Sequence, residues 1–301
     1  MARRPARHLR RGLVTVLGLL LILLAAARAL AVEESDWQRA ESAWRGRLPA
    51  EFPLIRREPF LVTGDIGEAK VRRLVERTIS RCTRALYHDF FEKRPDFVIT
   101  IFLFGDDDSY RSWSKELFGS EPTTKFGYYL KGEQALVMNI ATGSGTLVHE
   151  MVHPLMAVDF PRSPAWFNEG MGSLFEQCQV GEGPSLRGLV NWRLPILQRA
   201  IGTKDYVSLE SLVATSTGDF YGPNQSVHYA EARYLLLYAQ EKGLLKGLYR
   251  HFRAHVEQDP TGRLSLEETF GKPLSEVESD WLTWVKTLHW PPVSGLRPLR
   301  F

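Results

Sequence analysis

Cysteine is scarce in this chain of 301 residues, in which only Cys82 and Cys178 occur. Two cysteines exclude a zinc site built from four thiolates, and they exclude a small fold stapled by several disulfides. In an oxidising compartment the two could form one disulfide, but a sequence does not give the distance between them. A zinc site in this chain would therefore need other ligands.

Acidic residues are absent from the first 31 positions, which carry six arginines and an apolar run over 13–27. The small-residue pattern Ala29-Leu30-Ala31 then resembles a cleavage site, so 1–31 is predicted to be a signal peptide. The alternative is an uncleaved N-terminal anchor, because an apolar window of about 20 residues is enough to span a bilayer. Both alternatives predict export, to a periplasmic, extracellular or membrane-anchored position facing outside the cytoplasm. Membrane contact is expected only if the segment is uncleaved.

Residues 32–301 carry no excess of positive charge. Six of the 38 basic residues lie in 1–31, which leaves 32 basic residues against 35 acidic ones. The basic balance of the whole chain thus comes from its N-terminus, and no nucleic-acid partner is expected. The remaining residues, about 270, contain no Pro/Gly-rich linker or internal repeat and can bury a large core in one domain or two lobes. The oligomeric state is left open.

The apolar patterning predicts an α+β fold, in which a small lobe with a mixed sheet precedes a mainly helical lobe. Runs of β-branched and aromatic residues predict four strands, of which the last two form an edge hairpin: 60–63, 97–104, 126–129 and 135–140. Helical spacing predicts helices at 36–53, 68–91 and 109–118. We therefore expect an N-terminal α/β part over 32–140, a helical part over 141–290 and a C-terminal tail over 291–301.

The most informative stretch is a His-Glu-x-x-His pattern formed by His149, Glu150 and His153. In a chain of this composition it is expected by chance roughly 0.016 times. Gly143 and Gly145 break the chain before it and apolar residues recur around it at helical spacing, which predicts a helix. Two histidines four apart share one helix face and can bind one metal ion, while Glu150 can hold a water. The alternative is a pair of ordinary helix histidines.

A third ligand is predicted at Glu169, in a second short helix that starts after Ser163, with Pro164 at its first position. Gly170 and Gly172 are poor helix formers, but they would let this helix approach the first one closely. Two histidines and one carboxylate leave a fourth position open, which is the form of a catalytic zinc site.

Asp159 is the alternative third ligand. A different zinc-protease pattern places its last ligand six residues after the second histidine, which is the spacing of Asp159 from His153. That pattern needs a glycine for its turn where this chain has Met156, so Glu169 is favoured.

Two features beside the motif affect its geometry. Pro154 follows His153 directly, removes one helical hydrogen bond and is expected to distort the helix from that point, before Asp159-Phe160-Pro161 ends it.

The predicted strand at 135–140 leads into the metal helix and is expected beside the site. As an edge strand it could pair with an extended peptide, or it could simply complete the sheet.

The pattern His149-Glu150-x-x-His153, followed by Trp-Phe-Asn-Glu-Gly at 166–170, resembles the gluzincin clan of zinc metallopeptidases, which includes thermolysin and the M1 aminopeptidases. It is most similar to the small exported peptidase MA-like domains. The resemblance implies a zincin-like core in which His149, His153 and Glu169 bind zinc and Glu150 activates water. It thus implies an exported zinc metallopeptidase that acts on a peptide or protein. The Gly-x-Met-x-Asn motif of the aminopeptidases is absent, so aminopeptidase specificity is not implied.

The resemblance also implies an oxyanion stabiliser, because the clan uses a tyrosine or histidine of a later helix for this role. It assigns the role to Tyr229, with His228 and Tyr221 as alternatives. A second interpretation of the whole chain is a catalytically silent module of the same fold that binds peptides or acts as an envelope interaction protein. The intact ligand pattern argues against it, because structural zinc sites fill all four positions with protein ligands.

Overall fold

The computed structural model of the chain describes residues 32–180 and 183–291. The predicted signal peptide or anchor at 1–31 and all but the first residue of the predicted tail at 291–301 lie outside the described residues. Within the described ranges, no helix combines the length and the apolar composition that crossing a bilayer requires.

A mixed five-stranded sheet forms the first part of the chain. Its strands are β1 Ile55–Arg57, β2 Phe60–Gly64, β3 Ile99–Phe104, β4 Gly127–Leu130 and β5 Ala135–Asn139. They lie in the order β1-β2-β3-β5-β4, with β2, β3 and β5 parallel and with β1 and β4 antiparallel to their neighbours. The predicted hairpin at one edge is thus present. Of the two alternatives for the strand at 135–140, the edge strand is wrong and the strand that completes the sheet is present, because β4 pairs with the outer side of β5.

Helices cover both faces of this sheet. They are α1 Glu34–Arg45, α2 Glu68–Leu74, α3 Ser80–Asp89 and α4 Asp107–Phe118, with a π-helical turn Val75–Ile79 between α2 and α3. One face packs against α1 and α4 through an aromatic cluster that includes Trp44, Phe102 and Tyr110. The other face packs against α2, α3 and the helices that follow the sheet. The predicted helix at 36–53 is shorter than expected, because it ends at Arg45 with Gly46 at its C-cap.

The second part of the chain is mainly helical. Its helices are α5 Ser144–Asp159, α6 Ala165–Phe175, α7 Leu194–Ala200, α8 Leu209–Ala214, α9 Thr217–Phe220, α10 Gln225–Glu241, α11 Leu245–His255, α12 Arg263–Phe270 and α13 Leu274–Thr287, and a two-stranded hairpin is formed by β6 Cys178–Val180 and β7 Leu186–Gly188. Helix α10 is buried from 230 to 239 and packs along α6. The architecture is therefore α+β, as the patterning predicts.

Three local expectations can be compared with the structure. Helix α5 runs through Pro154 and ends at Asp159, so both motif histidines lie inside the helix. Pro164 is the N-cap of α6 and not its first helical residue. Cys82 and Cys178 are buried neighbours that are not joined by a disulfide.

Candidate metal centre

The two predicted metal helices, α5 and α6, pack against each other at a glycine. A Cβ atom on Gly172 would lie 3.1 Å from Cε1 of His149, so the absence of a side chain lets the imidazole rest on α6. Gly170 has a different neighbour, because a Cβ there would lie 2.9 Å from Cδ1 of Leu236 in α10. Of the two glycines expected to bring α6 against α5, only Gly172 does so, and Gly170 lets α6 approach α10.

Three of the predicted ligands come together at this contact. Oε2 of Glu169 lies 3.2 Å from Nε2 of His149 and 3.7 Å from Nε2 of His153. Ligand atoms around a tetrahedral ion with bonds of about 2.0 Å are separated by about 3.3 Å, so these distances match the edges of such a site. Oε2 of Glu169 is buried and has no aligned hydrogen bond within the described residues. An orphaned carboxylate oxygen beside two imidazole nitrogens fits a bound cation.

Glu150 lies next to this cluster. A carboxylate oxygen of Glu150 and one nitrogen each of His149 and His153 lie within 4.8 Å of one another. That spacing leaves room for one water molecule between the carboxylate and a shared ion. Burial raises the pKa of Glu150, and the two histidines act in the opposite direction without cancelling it. A carboxylate with a raised pKa is a stronger proton acceptor.

The second nitrogen of each histidine lies close to a side-chain oxygen of the protein. Nδ1 of His153 lies 2.5 Å from Oδ1 of Asn168, whose Nδ2 donates to Ser163. Nδ1 of His149 lies 3.2 Å from Oε1 of Glu176, without the alignment of a full hydrogen bond. Such partners fix the orientation of a ligating imidazole and direct its other nitrogen to the metal.

Glu176 is the site residue that sequence reasoning missed. It lies at the C-cap of α6, seven residues after Glu169, and that spacing of two helical turns is the signal that could have identified it. Its carboxylate accepts a two-pronged hydrogen bond from Arg193, at 2.6 and 2.8 Å. Arg193 therefore holds Glu176 in place against His149.

The buried charges at the site shift one another's pKa values. Burial alone would lower the pKa of His149, but the carboxylates of Glu169 and Glu176 outweigh it and raise this pKa to about 10. Burial would raise the pKa of Glu169, but His153 and His149 outweigh it and lower that pKa. The buried carboxylates of the cluster thus stay ionised, and a proton or a divalent cation can balance their negative charge.

The three candidates for an oxyanion stabiliser occupy different positions. Tyr221 donates its hydroxyl to Oε1 of Glu169 at 2.5 Å. The ring of Tyr229 lies nearly parallel to that of His149, with ring centroids 6.3 Å apart, and Tyr229 lines the adjacent cleft. His228 is buried, with Nδ1 2.9 Å from the carbonyl oxygen of Phe220. Tyr229 is thus the candidate that faces the cleft.

Asp159, the alternative third ligand, lies outside the cluster. It is buried, and its carboxylate accepts hydrogen bonds from the backbone of Glu92 and Lys93 and from Tyr249 and Arg253, at 2.7–2.8 Å. A carboxylate with this many donors ties α5 to α11 and has no free oxygen for a metal ion.

A cleft of about 1140 Å³ opens beside the cluster and is lined by His149, Glu150 and Tyr229. Its other walls include Phe126 and Trp192, whose aromatic side chains are 41% and 47% exposed. A large cleft with exposed aromatic walls can accept an extended ligand.

Comparison of the chain with models of known protein families and with curated proteins finds no match. The chemistry of this site has to be inferred from its own residues.

Proposed function

We propose that this chain is an exported zinc metallopeptidase with a gluzincin-type, zincin-like core, which hydrolyses peptide bonds in peptide or protein substrates. The observation that carries the proposal is Oε2 of Glu169, a buried oxygen without an aligned hydrogen bond that lies 3.2 and 3.7 Å from the Nε2 atoms of His149 and His153. Export is supported by the arginine-rich and apolar N-terminal sequence.

Zinc fits the donor set better than calcium or magnesium. His149 and His153 would bind through Nε2, and Glu169 would bind through Oε2. Calcium and magnesium prefer oxygen ligands, whereas two imidazoles and one carboxylate with an open position are typical of catalytic zinc. When bound, zinc polarises a carbonyl oxygen and makes a water molecule more acidic.

Glu150 supplies the proton transfers of the hydrolysis. Its carboxylate accepts a proton from the water whose oxygen forms the new bond to the scissile carbonyl carbon. The same carboxyl group then gives that proton to the nitrogen of the leaving amine as the carbon–nitrogen bond breaks. Because burial raises the pKa of Glu150, its carboxylate is a better base than an exposed one.

Tyr229 is the better-placed oxyanion donor. The hydroxyl of Tyr221 donates to Oε1 of Glu169 at 2.5 Å, whereas Tyr229 lines the cleft beside His149. Burial and the nearby carboxylate of Glu169 raise the pKa of Tyr229, so its phenol keeps the proton that it would donate to a developing negative charge.

The substrate would lie along β4. This strand is at the edge of the sheet, and residues 125–127 at its start line the cleft. An extended peptide could pair with this edge through main-chain hydrogen bonds and place its side chains against Phe126 and Trp192.

The deciding experiment combines zinc content with cleavage of a mixed peptide pool, measured by elemental analysis and mass spectrometry. We expect the wild type to hold zinc and to cleave. Glu150→Gln should keep zinc and lose cleavage by about 10²-fold or more, the range typical for loss of a general base. His153→Ala should lose both zinc and cleavage.

Glu116→Gln is the matched control, because Glu116 is exposed on α4 and far along the chain from the motif. It should behave as the wild type in both measurements. Cleavage at the wild-type rate by Glu150→Gln would overturn the mechanism. A wild type that holds zinc but cleaves no peptide would instead support the catalytically silent alternative.

A further inference from the structure

A second pocket, of about 440 Å³, shares no lining residue with the cleft at the metal centre. It is formed where β1 ends, along α3 and in the segment that follows α3. Three guanidinium groups line it, those of Arg57, Arg84 and Arg94, together with the single carboxylate of Glu58 and the ring of Tyr87. We call it the arginine pocket.

Positive charge in the arginine pocket exceeds the negative charge that lines it. Neighbouring Arg56 pairs with two glutamates, whereas within 32–180 and 183–291 none of the three pocket arginines forms a salt bridge. The carboxylate of Glu58 accepts a hydrogen bond from the backbone of Val32, at 3.3 Å, and offsets one of the three positive charges. Like charges held around one pocket repel each other, so an anion in the pocket would be stabilised.

The other polar side chains that line the pocket are buried or have partners within the protein. The hydroxyl of Tyr87 is buried, and the guanidinium of Arg94 lies 4.1 Å from the centre of its ring. The hydroxyls of Ser80 and Thr83 donate to backbone carbonyl oxygens of the preceding turn, and Nδ1 of His88 lies 2.8 Å from Oδ1 of Asp89. The free donors are therefore the guanidinium groups.

This donor set matches a phosphate group. Guanidinium groups donate paired N–H groups in a fixed plane that fits phosphate oxygens, and a phosphate has enough oxygens for several such donors at once. The pocket is large enough to hold a small organic group beside the phosphate. We propose that the arginine pocket binds a phosphate ester, with the phosphate held by its arginines.

Two sources present this chemistry, a soluble phosphate ester and the headgroup of an anionic phospholipid. The backbone of Val32 contacts Glu58 at the rim, so the apolar N-terminal sequence is joined to the chain beside the pocket. Further exposed arginines, Arg73, Arg77 and Arg81, lie along the helical segment that leads to the pocket. A membrane surface could contact both the N-terminal sequence and these arginines. The experiment therefore needs one arm for a soluble phosphate ester and one for a phospholipid headgroup.

The first arm measures binding of glycerol phosphate to the full chain by calorimetry, and the second measures sedimentation with vesicles. In the vesicle arm the readout is the preference for phosphatidylglycerol over phosphatidylcholine, because binding through the N-terminal apolar run would not distinguish the two. Arg84→Gln/Arg94→Gln should weaken the binding, or reduce the preference, by about tenfold or more, since it removes two charge-assisted donors.

The matched control is Arg199→Gln/Arg250→Gln, which removes the same charge from exposed positions that do not line the pocket. It should leave both measurements unchanged. Binding of glycerol phosphate identifies a soluble ester as a sufficient ligand, whereas a response in the vesicle arm alone identifies the membrane headgroup. The proposal is overturned if neither arm responds, or if the control weakens binding as much as the pocket variant. Peptide cleavage and zinc content are not involved in either arm.

Discussion

Replacing Glu176 by glutamine perturbs how His149 is held without touching a proposed ligand. The carboxylate of Glu176 lies 3.2 Å from Nδ1 of His149 and accepts two hydrogen bonds from the Arg193 guanidinium, at 2.6 and 2.8 Å. Glutamine keeps the shape of the side chain, but it removes the charge and turns one oxygen into a donor that faces Arg193. The imidazole of His149 then loses the negative charge beside its Nδ1 atom.

The expected size of the effect follows from these contacts. Loss of such an outer partner of a ligating histidine typically weakens metal affinity by about 10- to 100-fold. That corresponds to about 1.4–2.7 kcal/mol of zinc-binding free energy. Because Glu176 positions a ligand and transfers no proton, added zinc should restore peptide cleavage in Glu176→Gln but not in Glu150→Gln.

Competition with a zinc chelator of known affinity measures the dissociation constant. Glu241→Gln provides the control. The carboxylate of Glu241 also accepts hydrogen bonds from an arginine, because Arg187 donates to both of its oxygens at 2.8 Å, but this pair is exposed. The control should bind zinc as the wild type does. Zinc binding by Glu176→Gln at wild-type affinity would refute the positioning role.

Two further predictions concern stability. Burial raises the pKa of Glu231 to about 8, above its ordinary value, and its Oε2 has no partner within the described residues. The folded chain therefore holds this proton more tightly than the unfolded chain, so the contribution is complete below about pH 4 and is lost as the pH rises to about 8. Glu231→Gln should flatten that part of the pH profile of urea unfolding, and parallel profiles would contradict this. Asp159→Asn should lower the free energy of unfolding by about 1.5–3 kcal/mol, because it removes the charge to which Tyr249 and Arg253 donate and leaves Arg253 only its ion pair with Glu92, while the folded protein keeps its zinc. Zinc loss at unchanged stability would show instead that Asp159 is a ligand.

Much of the fold was predictable, because it depends on local patterns. The run at 97–104 is dense in β-branched and aromatic residues, and β3 forms there from Ile99 to Phe104. The stripe over 68–91 forms α2 and α3 with the π-helical turn between them. The π-helical turn adds one residue to the helix and so shifts its apolar face. A search for a continuous apolar stripe over 68–91 does not detect this shift.

Within the candidate site, local sequence patterns were enough to locate the helices that carry the predicted ligands. The spacing of His149 and His153 places both on one face of a helix, and a glycine at 172 permits close helix packing. These features depend only on residues near one another in the chain.

Which side chains surround those residues depends on the tertiary structure. Glu176 and Arg193 meet beside His149, and Asp159 pairs with Arg253, because elements distant in sequence pack together. The same is true of the strand order, which puts β4 and not β5 at the edge, and of the arginine pocket, whose residues come from three segments. Contacts of this kind depend on packing energies summed over the whole core, and local spacing, even the seven residues from Glu169 to Glu176, does not specify them.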